Sequence, residues 1–460
     1  MYDLIIAGGG PAGYAAAIRA AQMGAKVLMV EKDKVGGTCL HRGCIPTKVL
    51  HEHAQTQEKS LMAFKNGFFK GDITLDLSIV KQQQQEIISK LYTGLQHVLK
   101  TRGIKIIKGS VELKNPGTLV VQRDEGKEEY HSNNILIATG SREAELDIPG
   151  SKIISGVEES LHPPHKPCRV AIIGGGYTGL ELASSYVSLG FEVTVIEREK
   201  LLLAALEDKE LSKMLAFLLK RRGIKILTNT NLLGIQCVRD EITLMLQASS
   251  GEQALQLNFH KVISAIGRRP NLEVLGSGVK GIETTSQGIT VNQRQQTGAP
   301  HVYAAGDVTG PPLLAHLSYF EGITAAENIM GLDKVLDNKA VPFFLAAQPG
   351  LAWVGITEKQ AKDLGIPCKL GRFPFSGNGR ALVKGHSQGL VKVVIRESDE
   401  VVLGMQVLGS DAEDLIMEGV LAVQNRLTVK QLAETIHPHP TLGEAVWEAS
   451  LAVLGKSLHG

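Results

Sequence analysis

The chain has 460 residues, 49 basic and 47 acidic, with 50 glycines and 5 cysteines. A net charge of +2 without a dense Lys/Arg patch argues against a phosphate backbone as partner, so no nucleic acid is expected. The 43% apolar content excludes disorder as the main state, and five cysteines are too few for a secreted disulfide scaffold. At about 150 residues per domain the length suggests roughly three domains.

Met1-Tyr2-Asp3 runs directly into the apolar Leu4–Ala7, and no stretch of 18 apolar residues occurs, so the expectation is a cytoplasmic chain without a membrane span. Residues 4–31 read LIIAGGGPAGYAAAIRAAQMGAKVLMVE. A short apolar run, G-x-G-x-x-G, a helical stretch of small residues and a second apolar run ending in Glu31 predict a βαβ unit with its helix opening at the glycines. Gly8 would permit the tight turn, Gly10 would admit a pyrophosphate to the backbone, and Gly13 would let helix pack on strand. Glu31 would accept hydrogen bonds from an adenosine ribose.

Directly afterwards comes GGTCLHRGCIPTK at 36–48, with Cys39 and Cys44 five apart ahead of a helical run. A thiolate at a helix N-terminus is stabilised by the dipole, and Arg42 and Lys48 add positive charge. Three readings are open from the residues alone: inert buried thiols, half of a zinc site with His41, or a redox pair exchanging electrons with a bound flavin. The position one loop from a dinucleotide turn favours the last. Residues 51–100, including the run Val80-Lys-Gln-Gln-Gln-Gln-Glu86, read as long helices with a solvated polar face. Residues 117–132 alternate as antiparallel strands do.

Residues 170–197, VAIIGGGYTGLELASSYVSLGFEVTVIE, repeat the first unit at an ungapped offset of 166. Gly174, Gly176, Gly179 and Glu197 fall on Gly8, Gly10, Gly13 and Glu31. A lone G-x-G-x-x-G is weak evidence, but two copies with strand, helix and acid in register predict two bound dinucleotides. Residues 231–259 alternate as antiparallel strands, and from about Val341 strands and helices continue without a dinucleotide fingerprint, as a third domain would.

These segments resemble the pyridine nucleotide–disulfide oxidoreductases (class I), most closely the dihydrolipoyl dehydrogenase branch, over nearly the full length. The resemblance is carried by GGGPAG at 8–13, GGTCLHRGCIPTK at 36–48, ATGSR at 138–142, GGGYTGLE at 174–181, AIGRRPN at 265–271, VYAAGD at 302–307 and HPHPTLGEA at 437–445. It implies an α/β fold with two Rossmann-like domains, binding FAD and NAD, and a C-terminal α+β dimerisation domain. The implied division is 1–145 and 270–340 for a split FAD domain, 146–269 for the NAD domain and 341–460 for the interface.

By the same resemblance Gly8, Gly10, Gly13 and Glu31 hold the ADP half of FAD, and Asp307 its ribitol. Thr139, Gly140 and Gly267 line the crossings between domains on the cofactor side, while Gly174, Gly176, Gly179 and Glu197 hold NAD. Cys39 is implied as the interchange thiol and Cys44 as the flavin-side thiol of a redox disulfide. The resemblance further implies Lys48 near flavin N5, paired with Glu181, and His439 with Glu444 as the acid–base dyad, with His439–Pro440 as a cis peptide. In relatives the histidine comes from the opposite subunit, so a homodimer is implied, with the lipoyl domain of an acyltransferase or a glycine cleavage carrier protein as partner.

Glu197 would repel a 2′-phosphate and so favours NAD over NADP, with Arg198 and Lys200 nearby. It disfavours an NADP-dependent glutathione reductase. The lack of any cysteine after Cys368 disfavours a mercuric reductase, and the intact Cys39, Cys44, Lys48, His439 and Glu444 argue against a catalytically silent structural flavoprotein. Two segments depart from the pattern: His41-Arg42, where many relatives carry Asn-Val, and Ala347-Gln-Pro-Gly350, where an acidic form is usual.

Overall fold

A computed structural model describes residues 1–71, 75–239, 241–251, 254–276 and 279–459. Along the chain, β1 (Tyr2–Ala7), α1 (Pro11–Gln22) and β2 (Val27–Glu31) form the first βαβ unit. Then follow α2 (Gly37–Arg42), α3 (Cys44–Lys65), α4 (Ser78–Thr101), β3 (Lys105–Lys108), β4 (Ser110–Asn115), β5 (Thr118–Arg123), β6 (Gly126–Ile137) and β7 (Ser141–Glu143). Next come α5 (Val157–Ser160), β8 (Arg169–Ile173), α6 (Tyr177–Ser188), β9 (Glu192–Ile196), α7 (Lys209–Arg221), β10 (Lys225–Leu227), β11 (Thr230–Val238), β12 (Glu241–Ala248), β13 (Leu255–Phe259) and β14 (Lys261–Ser264). β15 (Arg268–Pro270), β16 (Val302–Ala304) and α8 (Ala315–Ile329) lead to β17 (Phe343–Leu345), β18 (Gly350–Gly355), α9 (Glu358–Asp363), β19 (Cys368–Pro374), α10 (Gly379–Lys384), β20 (Leu390–Arg396) and β21 (Val402–Gly409). The chain closes with α11 (Ala412–Gln424), α12 (Val429–Ala433) and α13 (Glu444–Val453).

Residue contacts gather into two compact units: Met1–Val49 with Ser78–Ala144 and Gly267–Asp337, and Leu50–Leu77 with Glu145–Ile266 and Asn338–Gly460. The first unit is discontinuous, built from three separate stretches of chain. Its sheet runs β3-β2-β1-β6-β5-β4, with β16 also on β6. The β1, β2, β3 and β16 pairings are parallel, and β4-β5-β6 are antiparallel, as the alternation over 117–132 predicts. Leu4 and Ile6 face a core made with α1, α4 and α8, while Ile5 and Ala7 face a second core with Leu119 and Val121. Both faces of β1 are covered, and that is why it reads as an unbroken apolar run. The crossing strands β7 and β15 pair antiparallel, tied by Asn271 N–H to Gly140 O at 2.9 Å.

In the second unit a parallel sheet, β10-β9-β8-β14, is followed by the meander β11-β12-β13. Ala171, Ile173 and Ile196 of the sheet pack on Leu244, Leu246 and Phe259 of the meander. A five-stranded antiparallel sheet, β17-β18-β21-β20-β19, has its own core against α11 and α13. Buried Lys392 on β20 bridges Asp208 at 2.6 Å and Glu210 at 2.9 Å, with the Lys392 and Asp208 side chains 3% and 8% exposed. Asp208 also caps α7 by accepting from Leu211 N–H. None of this polar core was legible beforehand, because its members lie far apart in sequence. Among the described residues no helix is long and apolar enough to cross a membrane.

Removing one partner leaves a buried charge uncompensated, so Lys392→Ala should cost about 3 kcal/mol, read as a lowered urea midpoint. A midpoint unchanged from the parent would contradict this account of the pair.

Candidate active site

The two glycine turns are alike down to individual atoms. Gly8 and Gly174 have φ of +110° and +111°. A Cβ at Gly13 would lie 2.0 Å from Gly8 O, and one at Gly179 2.0 Å from Gly174 O, so only glycine lets each helix seat on its strand. At Gly10 and Gly176 a Cβ would meet nothing within 4 Å. Those two glycines start α1 and α6, and neither helix start carries a side-chain cap. Backbone donors and a positive dipole end thus face open space, the cradle that a pyrophosphate requires.

Each acid is preset by its own loop. Glu31 accepts from Gly9 N–H at 2.7 Å and Asp33 N–H at 2.9 Å, one per oxygen. Glu197 accepts from Gly175 N–H at 2.5 Å and Glu199 N–H at 2.8 Å in the same way. A carboxylate oxygen has two lone pairs, so each can still accept a ribose hydroxyl. These residues fit dinucleotides in both turns.

Cys39 and Cys44 form a disulfide with Cα atoms 4.6 Å apart. The spacing of five works because the helical run breaks at Gly43, which ends α2 and lets Cys44 open α3. The pair is fastened to the first glycine turn: Gly36 N–H donates to Gly9 O at 2.7 Å, and a Cβ at Gly37 would come 2.7 Å from Gly10 Cα. His41 Nε2 lies 2.8 Å from Val35 O and Arg42 pairs with Asp33 at 3.2 Å, so both engage the loop ahead of the disulfide. Lys48 follows Cys44 by one helical turn and is half-buried.

The glutamine run needs a correction. Most of it is solvated, as expected, but Gln84 is buried and donates to Pro46 O at 3.0 Å, just behind Cys44. A lone polar residue on the inner face of a helix cannot be told from its solvated neighbours by composition.

Around the AAGD segment, Asp307 accepts from Ser141 Oγ at 2.5 Å, and Arg268 donates to the same hydroxyl at 2.7 Å. Thr139 Oγ1 donates to Asn271 O at 2.8 Å, and Gly140 and Gly267 adopt φ of +68° and +111°. Sequence reasoning missed Glu321, whose buried carboxylate accepts from Gly306 N–H at 2.6 Å beside Asp307. Burial pushes its pKa up to about 6, against the Gly306 hydrogen bond, which lowers it. An acid at the centre of α8, flanked by Phe320 and Gly322, was the available signal.

In the second unit Glu181 is buried and accepts from Ala346 N–H at 2.9 Å. His439 Nδ1 lies 2.8 Å from Glu444 Oε1, and Thr441 N–H donates to Glu444 Oε2 at 2.8 Å. The His439–Pro440 peptide is cis. Burial acts to raise the Glu444 pKa, but the Thr441 and His439 hydrogen bonds outweigh it and hold the carboxyl below its ordinary value. Asn378 Nδ2 donates to Thr441 O at 3.0 Å and steadies the segment. Within the first unit the geometry brings together the thiols and one glycine turn with its acid; within the second it forms the other turn with its acid and the His439–Glu444 pair.

This is the architecture of an enzyme that passes electrons between a pyridine nucleotide and a disulfide. The pyridine nucleotide-disulphide oxidoreductase model matches residues 2–322, and that family's dimerisation domain matches 341–450. The chain belongs to this family, whose cofactors are FAD and NAD(H).

Among curated relatives it is 40% identical to the dihydrolipoyl dehydrogenase of Thermus scotoductus, covering 100% of this chain and 98% of that one. It is 38% identical to a dihydrolipoyl dehydrogenase of Bacillus subtilis, covering 100% and 99%. Among solved structures, LpdA of Mycobacterium tuberculosis superposes with a TM-score of 0.88 at 26% identity, covering 97% and 98%. The HOCl-induced flavoprotein disulfide reductase RclA of Escherichia coli superposes at 0.87 and 27% identity, covering 98% of each chain.

Two outcomes follow. A raised carboxyl pKa means the folded state binds its proton more tightly, so Glu321 costs about 2 kcal/mol above pH 6, a cost relieved as pH falls toward 4.5. Glu321→Gln should therefore raise the urea midpoint of flavin-free protein at pH 7.5 and leave it unchanged near pH 4; an equal shift at both would contradict the assignment. Gly179→Ala should retain FAD absorbance while weakening NADH binding at least tenfold in titration, because the new methyl displaces α6 from β8.

Proposed function

We propose that the protein oxidises protein-bound dihydrolipoamide to lipoamide with NAD+, as the dihydrolipoyl dehydrogenase component of a 2-oxo acid dehydrogenase or glycine cleavage system. The observation that carries this reading is the Cys39–Cys44 disulfide fastened to the first glycine turn through Gly36 and Gly37. The relatives named dihydrolipoyl dehydrogenase match along the whole chain, which supports the substrate class.

The residues divide the work as follows. His439, oriented by Glu444, accepts the proton of the first substrate thiol. The resulting thiolate attacks Cys39 Sγ; the substrate S–Cys39 bond forms as the Cys39–Cys44 bond breaks, and the electron pair leaves on Cys44 as a thiolate. The second substrate thiol, deprotonated, attacks the sulfur bound to Cys39, so lipoamide leaves as a cyclic disulfide and Cys39 departs as a thiol or thiolate. The protein disulfide has been reduced by two electrons and the substrate oxidised by two. FAD, when bound, supplies the path by which those electrons leave Cys44 for NAD+.

Gly8, Gly10, Gly13, Glu31, Thr139, Gly140 and Asp307 would hold FAD, Gly174, Gly176, Gly179 and Glu197 would hold NAD, and Gly267 belongs to the same cofactor-binding set. Lys48 would supply positive charge toward the flavin, with Glu181 as its partner in that role. The proposed division is the FAD domain at 1–145 and 270–340, the NAD domain at 146–269 and the interface domain at 341–460. The matched dimerisation domain supports a homodimer in which each active site takes His439 from the second copy. A cytoplasmic location and the lipoyl domain as docking partner belong to the same reading.

The purified yellow protein should oxidise dihydrolipoamide with NAD+. Turnover of another disulfide with NADPH, and none of dihydrolipoamide, would overturn the proposal. His439→Gln should lower kcat by about 10²–10⁴-fold. Cys44→Ser should keep FAD but lose activity and the long-wavelength thiolate–flavin band; retained turnover would refute the thiol roles.

A further inference from the structure

His437 lies two residues before His439, yet their surroundings are opposite. The His439 side chain is 79% exposed and that of His437 only 7%. Ile436, just before it, is 95% exposed, so His437 is the buried anchor of a segment that otherwise stands in solvent. Its ring makes two hydrogen bonds: Nδ1 lies 2.9 Å from Thr435 O, and Nε2 lies 3.0 Å from Glu418 Oε2 on α11.

A backbone carbonyl can only accept, and an ionised carboxylate can only accept. Both ring nitrogens must then donate, and the ring that satisfies both partners is the imidazolium. The Glu418 hydrogen bond holds the His437 pKa above the ordinary histidine value against burial, which pulls it down.

The pair also borders the far end of the segment. A Cβ at Gly443 would lie 3.2 Å from Glu418 Oε1, 3.6 Å from His437 Cδ2 and 3.6 Å from Thr441 Oγ1. Gly443 is the residue from which α13 starts, and Glu444 is the first residue of that helix. In between, Thr441 Oγ1 donates to Pro438 O at 2.7 Å. The charged groups around the ring are Glu418 on α11 and Glu444 on α13, with His439 on its own segment. On α12 the Lys430 and Glu434 side chains pair with each other at 3.7 Å in solvent. Arg380 and Lys384 of α10 and Asp411 line the adjacent cavity with Pro440–Gly443.

We propose that His437 is a positioning residue for the His439–Glu444 dyad: an imidazolium clamped between Glu418 and the Thr435 carbonyl, it fixes residues 437–443 at both ends before substrate arrives. The proposal rests on the reading of His439 as the acid–base group.

The test uses the FAD-loaded enzyme and two reactions: NAD+-linked oxidation of dihydrolipoamide, which needs His439, and NADH oxidation by ferricyanide, which needs no thiol exchange. His437→Ala should lower kcat/KM for dihydrolipoamide at least tenfold and leave the ferricyanide rate within twofold. His437→Gln, which keeps a donor toward Glu418, should recover most of the rate. Dihydrolipoamide oxidation within twofold of the parent in His437→Ala, or an equal loss in both reactions, overturns the proposal. If the alanine variant fails to hold FAD, Glu418→Ala, which removes the same clamp from the α11 side, decides: dihydrolipoamide oxidation within twofold of the parent overturns the proposal. His439→Gln separates the two readings, since its retained activity would overturn the dyad itself, whereas its loss beside an unaffected His437→Ala overturns only the role of His437.

Discussion

Two missing methyl groups set the position of nearly everything chemical in the first unit. Gly13 sits so close to the Gly8 carbonyl that any side chain there would overlap it, and Gly8 itself adopts a backbone conformation that L side chains rarely reach. With both as glycine, α1 rests on the end of β1 and its first turn faces open space. The same loop then has a free amide at Gly9 to hold Glu31 and a free carbonyl to receive Gly36. Gly37 comes down on Gly10, and two residues later the chain reaches Cys39. Cofactor cradle and redox pair are consequences of one close approach of backbone to backbone.

The second unit uses the same device at Gly174 and Gly179, down to the carboxylate of Glu197 held by two amides. Five acids of the two units share a pattern: each accepts from a backbone N–H. Glu31, Glu197, Glu181, Glu321 and Glu444 all accept from one or more amides. An amide donor fixes orientation without adding a titratable neighbour. For Glu321 burial prevails over the Gly306 amide and pushes the pKa up, while for Glu444 the Thr441 amide and His439 prevail over burial and hold it down.

Much of this was legible in the sequence, and the legible part has a common character. Both glycine turns, the thiol pair, the His439–Glu444 pair and the alternating strands are local: their members lie within about thirty residues, and spacing alone relates them. Gln84 and Pro46, Glu418 and His437, and Lys392 and Asp208 are separated by 38, 19 and 184 positions. Gln84, Glu418, Lys392 and Asp208 each read by themselves as ordinary surface polar groups. Contacts also divide the chain into two compact units, with residues 50–77 joined to the second, a grouping that no composition change along α3 announces.

The sequence by itself determined the chemistry: which residues can turn, donate, accept, exchange a disulfide or move a proton, and in what local order. That information is carried by residue type and short spacing, because backbone conformation and helix or strand period act over a few residues. Only the tertiary structure decided which polar side chains leave water and what meets them there. Burial is a property of the assembled layers, so the raised pKa values of His437 and Glu321 and the hold of Gln84 behind Cys44 exist only once distant segments pack together.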